Sequence, residues 1–195
     1  VTLQIARMCA TRLARQPGPF RFRYQERVFR EAEGRPQAEA REMTQVGVEL
    51  IGEAGAKADA EVVALFAESL LCAGAKDFRI SIATVGVLRA LLASCGVNDG
   101  WKEGVLSAYH ASNFVKLEEL TSEDGAREAG VPPVFASAIR SLSRIRGGRE
   151  AVERVRDLVS PLGCQDGLDD FDRVLDLLAE KGLTDRILVD FSVMS

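Results

Sequence analysis

The stretch from Arg21 to Gly52 constrains the fold of this chain most strongly. It contains two segments in which side chains of different character alternate, and a polar connection joins them. In residues 20–30, aromatic side chains alternate with arginine and glutamine, and residues 43–51 alternate again. A period of two is typical of β-strands. Residues 31–40 are polar and include a glycine and a proline, as in a long hairpin connection. The stretch therefore predicts two antiparallel strands with a charged loop between them.

The second of these strands has two different faces. One face is apolar and can pack into a core; it carries Val46, Val48 and Leu50. The other face carries an amide and a carboxylate separated by a glycine, namely Gln45, Gly47 and Glu49. The glycine has no side chain to exclude a small molecule. A carboxylate and an amide oxygen are suitable acceptors for an ammonium group. Two interpretations stay open, half of an amino-acid pocket or an ordinary solvated strand face.

Two arginines flank the hairpin connection, Arg30 before it and Arg41 after it. Paired guanidinium groups in such positions can clamp a phosphate or a carboxylate. Two solvated surface arginines are the alternative interpretation.

The rest of the chain is mostly helical. Apolar spacing predicts helices over residues 2–15 and from Asp59 to Ala73, the second with a buried stripe of large side chains, Val62, Val63, Phe66, Leu70 and Leu71. Residues 77–83 alternate as a strand, six helices follow within residues 85–181, and residues 186–194 return to strand character. These elements predict an α+β fold, an antiparallel sheet with helices on one face.

Composition narrows the function class. The chain has 195 residues and a net charge of −4, which argues against a nucleic-acid-binding surface over its whole length. The four cysteines are far apart and have no ligand-spaced histidine, so no metal site is expected. Cys9 and Cys72 are interpreted as buried, reduced thiols of a soluble, cytoplasmic protein, since no apolar run is long enough to span a membrane.

Several runs carry a family resemblance: VTLQIARMCATRLA, VFRE before the loop, AREMTQVGVELIG after it, and DAEVVALFAESLLCAGAKDFRISI. Together they resemble the motif 2 region of histidyl-tRNA synthetases and, still more, their paralogue, the regulatory subunit of ATP phosphoribosyltransferase. The resemblance implies a class II aminoacyl-tRNA synthetase-like core at residues 1–83, a helical insertion at 84–185 and a return strand of the core at 186–195. The family's motif 1 and motif 3 are missing, so the chain is expected to be part of a longer parent.

By this resemblance, Thr2, Gln45 and Glu49 match positions that hold the α-amino end of histidine. Arg30 matches the arginine that contacts the ATP α-phosphate, and Arg41 and Glu42 match the returning arm of the loop. The family's glycine-arginine pair before that arm is displaced upstream here. Ser195 aligns with a catalytic arginine of the synthetases, and a serine cannot stabilise the negative charge that arginine would face.

The resemblance implies a non-catalytic regulatory subunit that senses histidine and activates the catalytic subunit of ATP phosphoribosyltransferase, as a homodimer within a hetero-oligomer. No catalytic residue and no cofactor are expected. The alternative is a catalytic-core fragment of a histidyl-tRNA synthetase, which would need ATP, Mg²⁺ and tRNA. The acidic charge and Ser195 favour the regulatory interpretation.

Overall fold

The computed structural model describes residues 1–30, 41–97 and 99–193, with all of their side chains except those of Arg30 and Arg41. The chain divides into two compact units, Val1–Val62 and Val63–Ser195. The domains expected at 1–83, 84–185 and 186–195 follow motif positions and stay a prediction.

The first unit is built on a helix and a two-stranded antiparallel sheet. Its elements are α1 (Thr2–Thr11), β1 (Phe20–Arg30), β2 (Arg41–Ile51) and the beginning of α2 (Ala56–Cys72). The helix predicted to reach Arg15 ends at Thr11, and residues 12–15 form turns that lead into the Pro17–Pro19 segment. The two predicted strands are confirmed, and β2 begins two residues earlier than the alternation indicated.

The register of β1 and β2 places their apolar residues on opposite faces of the sheet. Phe22 is paired with Glu49 and Tyr24 with Gly47, while Arg23 is paired with Val48. Directly paired residues point to the same face. The face of Val46, which was predicted to enter a core, therefore also carries the arginines of β1, and Val46 is 73% exposed.

Helix α2 buries small residues in place of the large ones that were predicted. Its buried positions are all alanines: Ala56, Ala58, Ala60, Ala64 and Ala67. Phe66 of the predicted stripe is 54% exposed, and Val62 and Leu71 are exposed too. Small side chains let a helix approach its neighbours closely, whereas an apolar period alone does not say which of two stripes is covered. The predicted burial of Cys72 is wrong for the same reason, since Cys72 is exposed and Cys9 half-buried.

The second unit is mostly helical and contains a small mixed sheet. After the rest of α2 come β3 (Ile80–Ile82), α3 (Gly86–Ser94), α4 (Asp99–His110), α5 (Phe114–Thr121), α6 (Glu123–Ala129), α7 (Pro133–Leu142), β4 (Arg146–Gly147), α8 (Glu150–Val159), α9 (Leu168–Glu180) and β5 (Ile187–Asp190). Short 3₁₀ turns occupy Ser160–Leu162 and Thr184–Arg186. Strand β5 lies in the centre, parallel to β3 and antiparallel to β4.

One continuous core holds the second unit together. Its fully buried side chains come from α3, α4, α5, α7, α8, α9, β5 and the residue that follows β5, and they include Leu88, Leu91, Ile139, Leu142, Val152 and Phe191. Phe191 packs edge-to-face against Phe171 of α9 with ring centroids 6.0 Å apart. Trp101 and Tyr109 are buried in the same core, and His110 is exposed.

The helical pattern was predicted well except for α6. Ser122 accepts a hydrogen bond from the backbone of Gly125 and caps this helix, and Gly130 closes it in the left-handed conformation. Both signals are visible in the sequence.

The strand expected over 186–194 ends at Asp190. The carboxylate of Asp190 accepts hydrogen bonds from the backbone N–H and the hydroxyl of Ser192, and the chain turns there. Across the described residues, no helix combines the length and apolarity that a membrane crossing requires.

Candidate functional site

The first unit brings Thr2 and Glu49 together, although they are 47 positions apart. Thr2 is the first residue of α1, and its hydroxyl donates a hydrogen bond of 2.6 Å to Oε1 of Glu49 on β2. The start of the helix is thus held against the polar face of the hairpin. The hydrogen bond from Thr2 uses one of about four lone-pair sites of the Glu49 carboxylate, so the carboxylate can still accept from a ligand.

Gln45 lies on the same face of β2, and its partner is a tyrosine of β1. Nε2 of Gln45 donates a hydrogen bond of 2.9 Å to the hydroxyl of Tyr24. The Tyr24 ring lies directly over Gly47, where an added Cβ would be 2.3 Å from Cζ and Oη of the ring. The expected open space over the glycine is therefore filled by a side chain of the protein. A ligand that uses Gln45 and Glu49 must lie against this ring.

The electrostatics of this polar cluster, defined as Thr2, Tyr24, Gln45 and Glu49, favour a cation. Glu26 is paired with Gln45 in the ladder and adds a second carboxylate to the same face. Within the described side chains, neither Glu26 nor Glu49 forms an ion pair with an arginine or lysine. Negatively charged oxygen acceptors that have no ion-pair partner among the described side chains suit an ammonium group.

Two of the nearby arginines belong to the other face of the sheet and are already paired. Arg21 donates to both carboxylate oxygens of Glu61 at 2.6 and 2.8 Å and to Glu53 at 2.8 Å. The hydrogen bonds to Glu61 are the main cause that raises the pKa of the Arg21 guanidinium. Arg27 pairs with Glu42 at 2.9 Å. These contacts hold the ends of the hairpin and the start of α2, so we assign Arg21 and Arg27 structural roles.

The predicted phosphate clamp is described only at its backbone. Arg30 and Arg41 form the last pair of the β1–β2 ladder, directly opposite each other. Their side chains, the connection at 31–40 and Ser195 lie outside the described residues. The assignment of Arg30 and Arg41 to a phosphate stays a prediction.

A cleft of about 240 Å³ lies between α1 and β1, next to the polar cluster. It is lined by apolar and charged side chains that include Ile5, Met8, Phe22, Arg23, Tyr24 and Glu26. Tyr24 and Glu26 are not among the site residues predicted from the sequence. The sequence contained a signal that could have identified them. In a hairpin whose strands end at Arg30 and Arg41, position 24 pairs with position 47 and position 26 pairs with position 45.

In the described parts of the chain, no group of three or more His, Cys, Asp or Glu side chains is arranged to hold a metal ion.

Comparison with known proteins defines the class of this fold. The chain superposes with a TM-score of 0.83 and 29% identity on the crystal structure of an ATP phosphoribosyltransferase regulatory subunit/histidyl-tRNA synthetase from Bacillus halodurans C, covering 99% of this chain and 48% of that one. A histidine–tRNA ligase subunit from Alicyclobacillus acidocaldarius matches with a TM-score of 0.70 and 28% identity, over 100% of this chain and 58% of that one. The fold is that of the histidyl-tRNA synthetase-like class II core, and the predicted α+β class is confirmed.

The family itself follows from the sequence. The family model for histidyl-tRNA synthetase matches residues 1–195, so the chain belongs to the histidyl-tRNA synthetase family. Relatives within it are named ATP phosphoribosyltransferase regulatory subunit, with 35% identity in Moorella thermoacetica and 33% in Geobacter sulfurreducens, over 100% and 97% of this chain. The predicted resemblance is confirmed. The chain spans about half the length of these relatives, 48% and 42%.

Proposed function

We propose that this chain is the histidine-sensing part of a non-catalytic regulatory subunit of ATP phosphoribosyltransferase, acting in histidine biosynthesis. The names of its relatives support the regulatory class. The observation that carries histidine sensing is the Glu49 carboxylate, hydrogen-bonded by Thr2 and without a cationic partner among the described side chains. It lies on the same face of β2 as Gln45, and the oxygen acceptors of the two side chains suit the α-ammonium group of an amino acid.

In this proposal, Thr2, Gln45 and Glu49 bind the ammonium group. Histidine would change the activity of the catalytic subunit only if it binds two states of the complex with unequal affinity. We further propose that Arg30 and Arg41 contact an anionic group at the end of the hairpin, and that the subunit forms a homodimer within the hetero-oligomer and needs no cofactor.

The binding site is tested by calorimetry of L-histidine with the full-length protein and two glutamate variants. Glu49→Ala removes a charged acceptor and should weaken histidine binding by about 10- to 100-fold. Glu42→Ala is the matched control, because Glu42 lies on the same strand, faces the opposite side and pairs with Arg27. It should change the affinity by less than about twofold. Unchanged affinity in Glu49→Ala would show that the pocket assignment is wrong.

The regulatory and synthetase alternatives differ in chemistry. A regulatory subunit should show no histidine-dependent exchange between ATP and pyrophosphate, and it should make the activity of an added catalytic phosphoribosyltransferase sensitive to histidine. The second candidate is a synthetase core, the class in the name of the Alicyclobacillus structure. Robust exchange would refute the regulatory proposal.

A further inference from the structure

The second unit contains a cleft of about 380 Å³ that is lined by three arginines, and we call it the arginine cleft. Arg140 belongs to α7, Arg144 follows that helix, and Arg146 begins β4. A volume of this size is typical of pockets for small molecules. None of these arginines belongs to the proposed histidine site.

One carboxylate holds two of the three arginines in the cleft. Glu118 of α5 accepts a hydrogen bond from Arg140 at 3.3 Å through Oε1 and one from Arg144 at 2.6 Å through Oε2. A guanidinium group has five N–H donors, so both arginines keep donors that Glu118 does not use. The ion pairs therefore restrain the two side chains without exhausting them.

Arg146 lines the same cleft from a fixed piece of backbone. Its backbone pairs with Asp190 in the β4–β5 ladder, and its carbonyl accepts a hydrogen bond of 2.6 Å from Nη2 of Arg154. Among the side chains that the structure describes, the Arg146 guanidinium forms neither an ion pair nor a hydrogen bond. Its five donors are available to a ligand.

The polar groups of the cleft define a ligand that accepts hydrogen bonds and carries negative charge. The hydroxyl of Ser143 already donates to the carbonyl of Arg140, and that of Ser192 donates to Asp190, which does not line the cleft. The guanidinium groups are thus the donors that remain. Three arginines against Glu118 give the lining a formal charge of +2, and the planar fork of arginine matches phosphate oxygens.

The arginine cleft also has an apolar wall. It is formed by Phe114 and Leu117 of α5, and Phe114 is 41% exposed although it is a large aromatic residue. We propose that the cleft binds a small phosphate monoester whose organic part packs against Phe114. A monoester carries two negative charges above its second pKa of about 6, which matches the charge of the lining, whereas a sulfate ester or a phosphodiester carries one.

The first test compares two ligands of the same shape by calorimetry with the full-length protein at low ionic strength. At about pH 8, phenyl phosphate should bind at least about fivefold more tightly than phenyl sulfate, because only the phosphate is a dianion. At about pH 5 the phosphate holds a second proton while the arginines keep their charge, so the difference should shrink to less than about twofold. Equal affinities at about pH 8, or no binding of phenyl phosphate at about 1 mM, would overturn the proposal.

An arginine variant and a matched control locate the site. Arg146→Ala should weaken the binding of phenyl phosphate by at least about fivefold, since it removes charge-assisted hydrogen bonds. Arg173→Ala removes the same charge from an exposed position of α9 outside the cleft and should change the affinity by less than about twofold. Equal losses would show general attraction to a positively charged surface and would overturn the site.

A pair of glutamate variants tests the sign of the electrostatic effect. Glu118→Gln removes the negative charge inside the cleft and should tighten the binding of phenyl phosphate by about three- to fivefold. Glu119→Gln is the control, because Glu119 is the next residue of α5, pairs with Lys116 and does not line the cleft. It should change the affinity by less than about twofold. Equal effects of the two variants would contradict direct contact between the ligand and the arginines that Glu118 holds.

A third comparison separates a small monoester from nucleic acid. An oligonucleotide without terminal phosphates offers only phosphodiesters and should bind no more tightly than phenyl sulfate. Tighter binding that Arg146→Ala abolishes would assign the cleft to nucleic acid and overturn the monoester class. Phe114→Ala should weaken the binding of phenyl phosphate but not that of inorganic phosphate, and equal losses for both would refute the packing on Phe114.

Discussion

The substitution Gly47→Ala tests the geometry of the polar cluster directly. A methyl group at this position would lie 2.3 Å from Cζ and Oη of Tyr24 and 2.7 Å from Cε1, whereas ordinary carbon contacts begin near 3.4 Å. The ring must move by roughly 1 Å and would lose its hydrogen bond to Gln45. Overpacking of this kind costs about 1–3 kcal/mol, and the lost hydrogen bond adds about 0.5–1.5 kcal/mol.

The assay is urea unfolding followed by far-ultraviolet circular dichroism. Gly104→Ala, inside helix α4, is the control with the same chemical change, because a Cβ there would meet only the end of the Leu120 side chain, with Cδ1 at 3.4 Å and Cδ2 at 3.8 Å. It should be neutral or raise the free energy of unfolding by up to about 1 kcal/mol. Gly47→Ala should lower the free energy of unfolding.

A double-mutant cycle identifies the cause of that loss. With Tyr24→Ala in place, the space over position 47 is open, and Gly47→Ala should cost less than about 0.5 kcal/mol. If Gly47→Ala costs as much without the ring as with it, the clash with Tyr24 is not the cause and the geometry described here is refuted.

Two further predictions concern the second unit. Tyr109 is 2% exposed and donates to the carbonyl of Ile139, so Tyr109→Phe should lower the free energy of unfolding by about 1–2 kcal/mol at pH 7 in urea titrations. Burial raises the pKa of Tyr109, so wild-type stability should fall as pH rises above the unfolded value near 10, and the phenylalanine variant should lack this component. An identical alkaline decline in both proteins would contradict this. Asp172 accepts from Arg149 and Arg156 and its side chain is 19% exposed, against 94% for Asp169. Asp172→Ala should cost about 1–3 kcal/mol and Asp169→Ala less than about 0.5 kcal/mol, and equal losses in thermal unfolding would argue against a shared ion-pair network.

Local signals were sufficient for most of the helices. Pro132 and Pro133 mark the start of α7, Gly182 closes α9, and the apolar spacing between such signals places the helices of the second unit within one or two residues. These features depend on residues three or four positions apart, which the sequence displays directly. The missed helix α6 had the same kind of signal at Ser122 and Gly130.

Burial of α2 was not predictable in this way. The helix has an apolar stripe of large residues and a stripe of alanines, and only the second is buried in the described structure. Hydrophobicity favours burial of the larger side chains, but the distance to neighbouring elements decides which stripe fits. That distance is a property of the packed protein.

By itself, the sequence determined the hairpin, the helical second unit and the polar residues Gln45 and Glu49 on one strand face, because each follows from periodicity within a segment. Only the tertiary structure decided that Thr2 donates to Glu49 and that Tyr24 fills the space over Gly47. The first contact joins residues that are 47 positions apart in the sequence, and the second joins residues that are 23 positions apart. Their geometry depends on the strand register and on the placement of α1. Periodicity assigns a residue to a face, but the register decides which side chain of the neighbouring strand it meets.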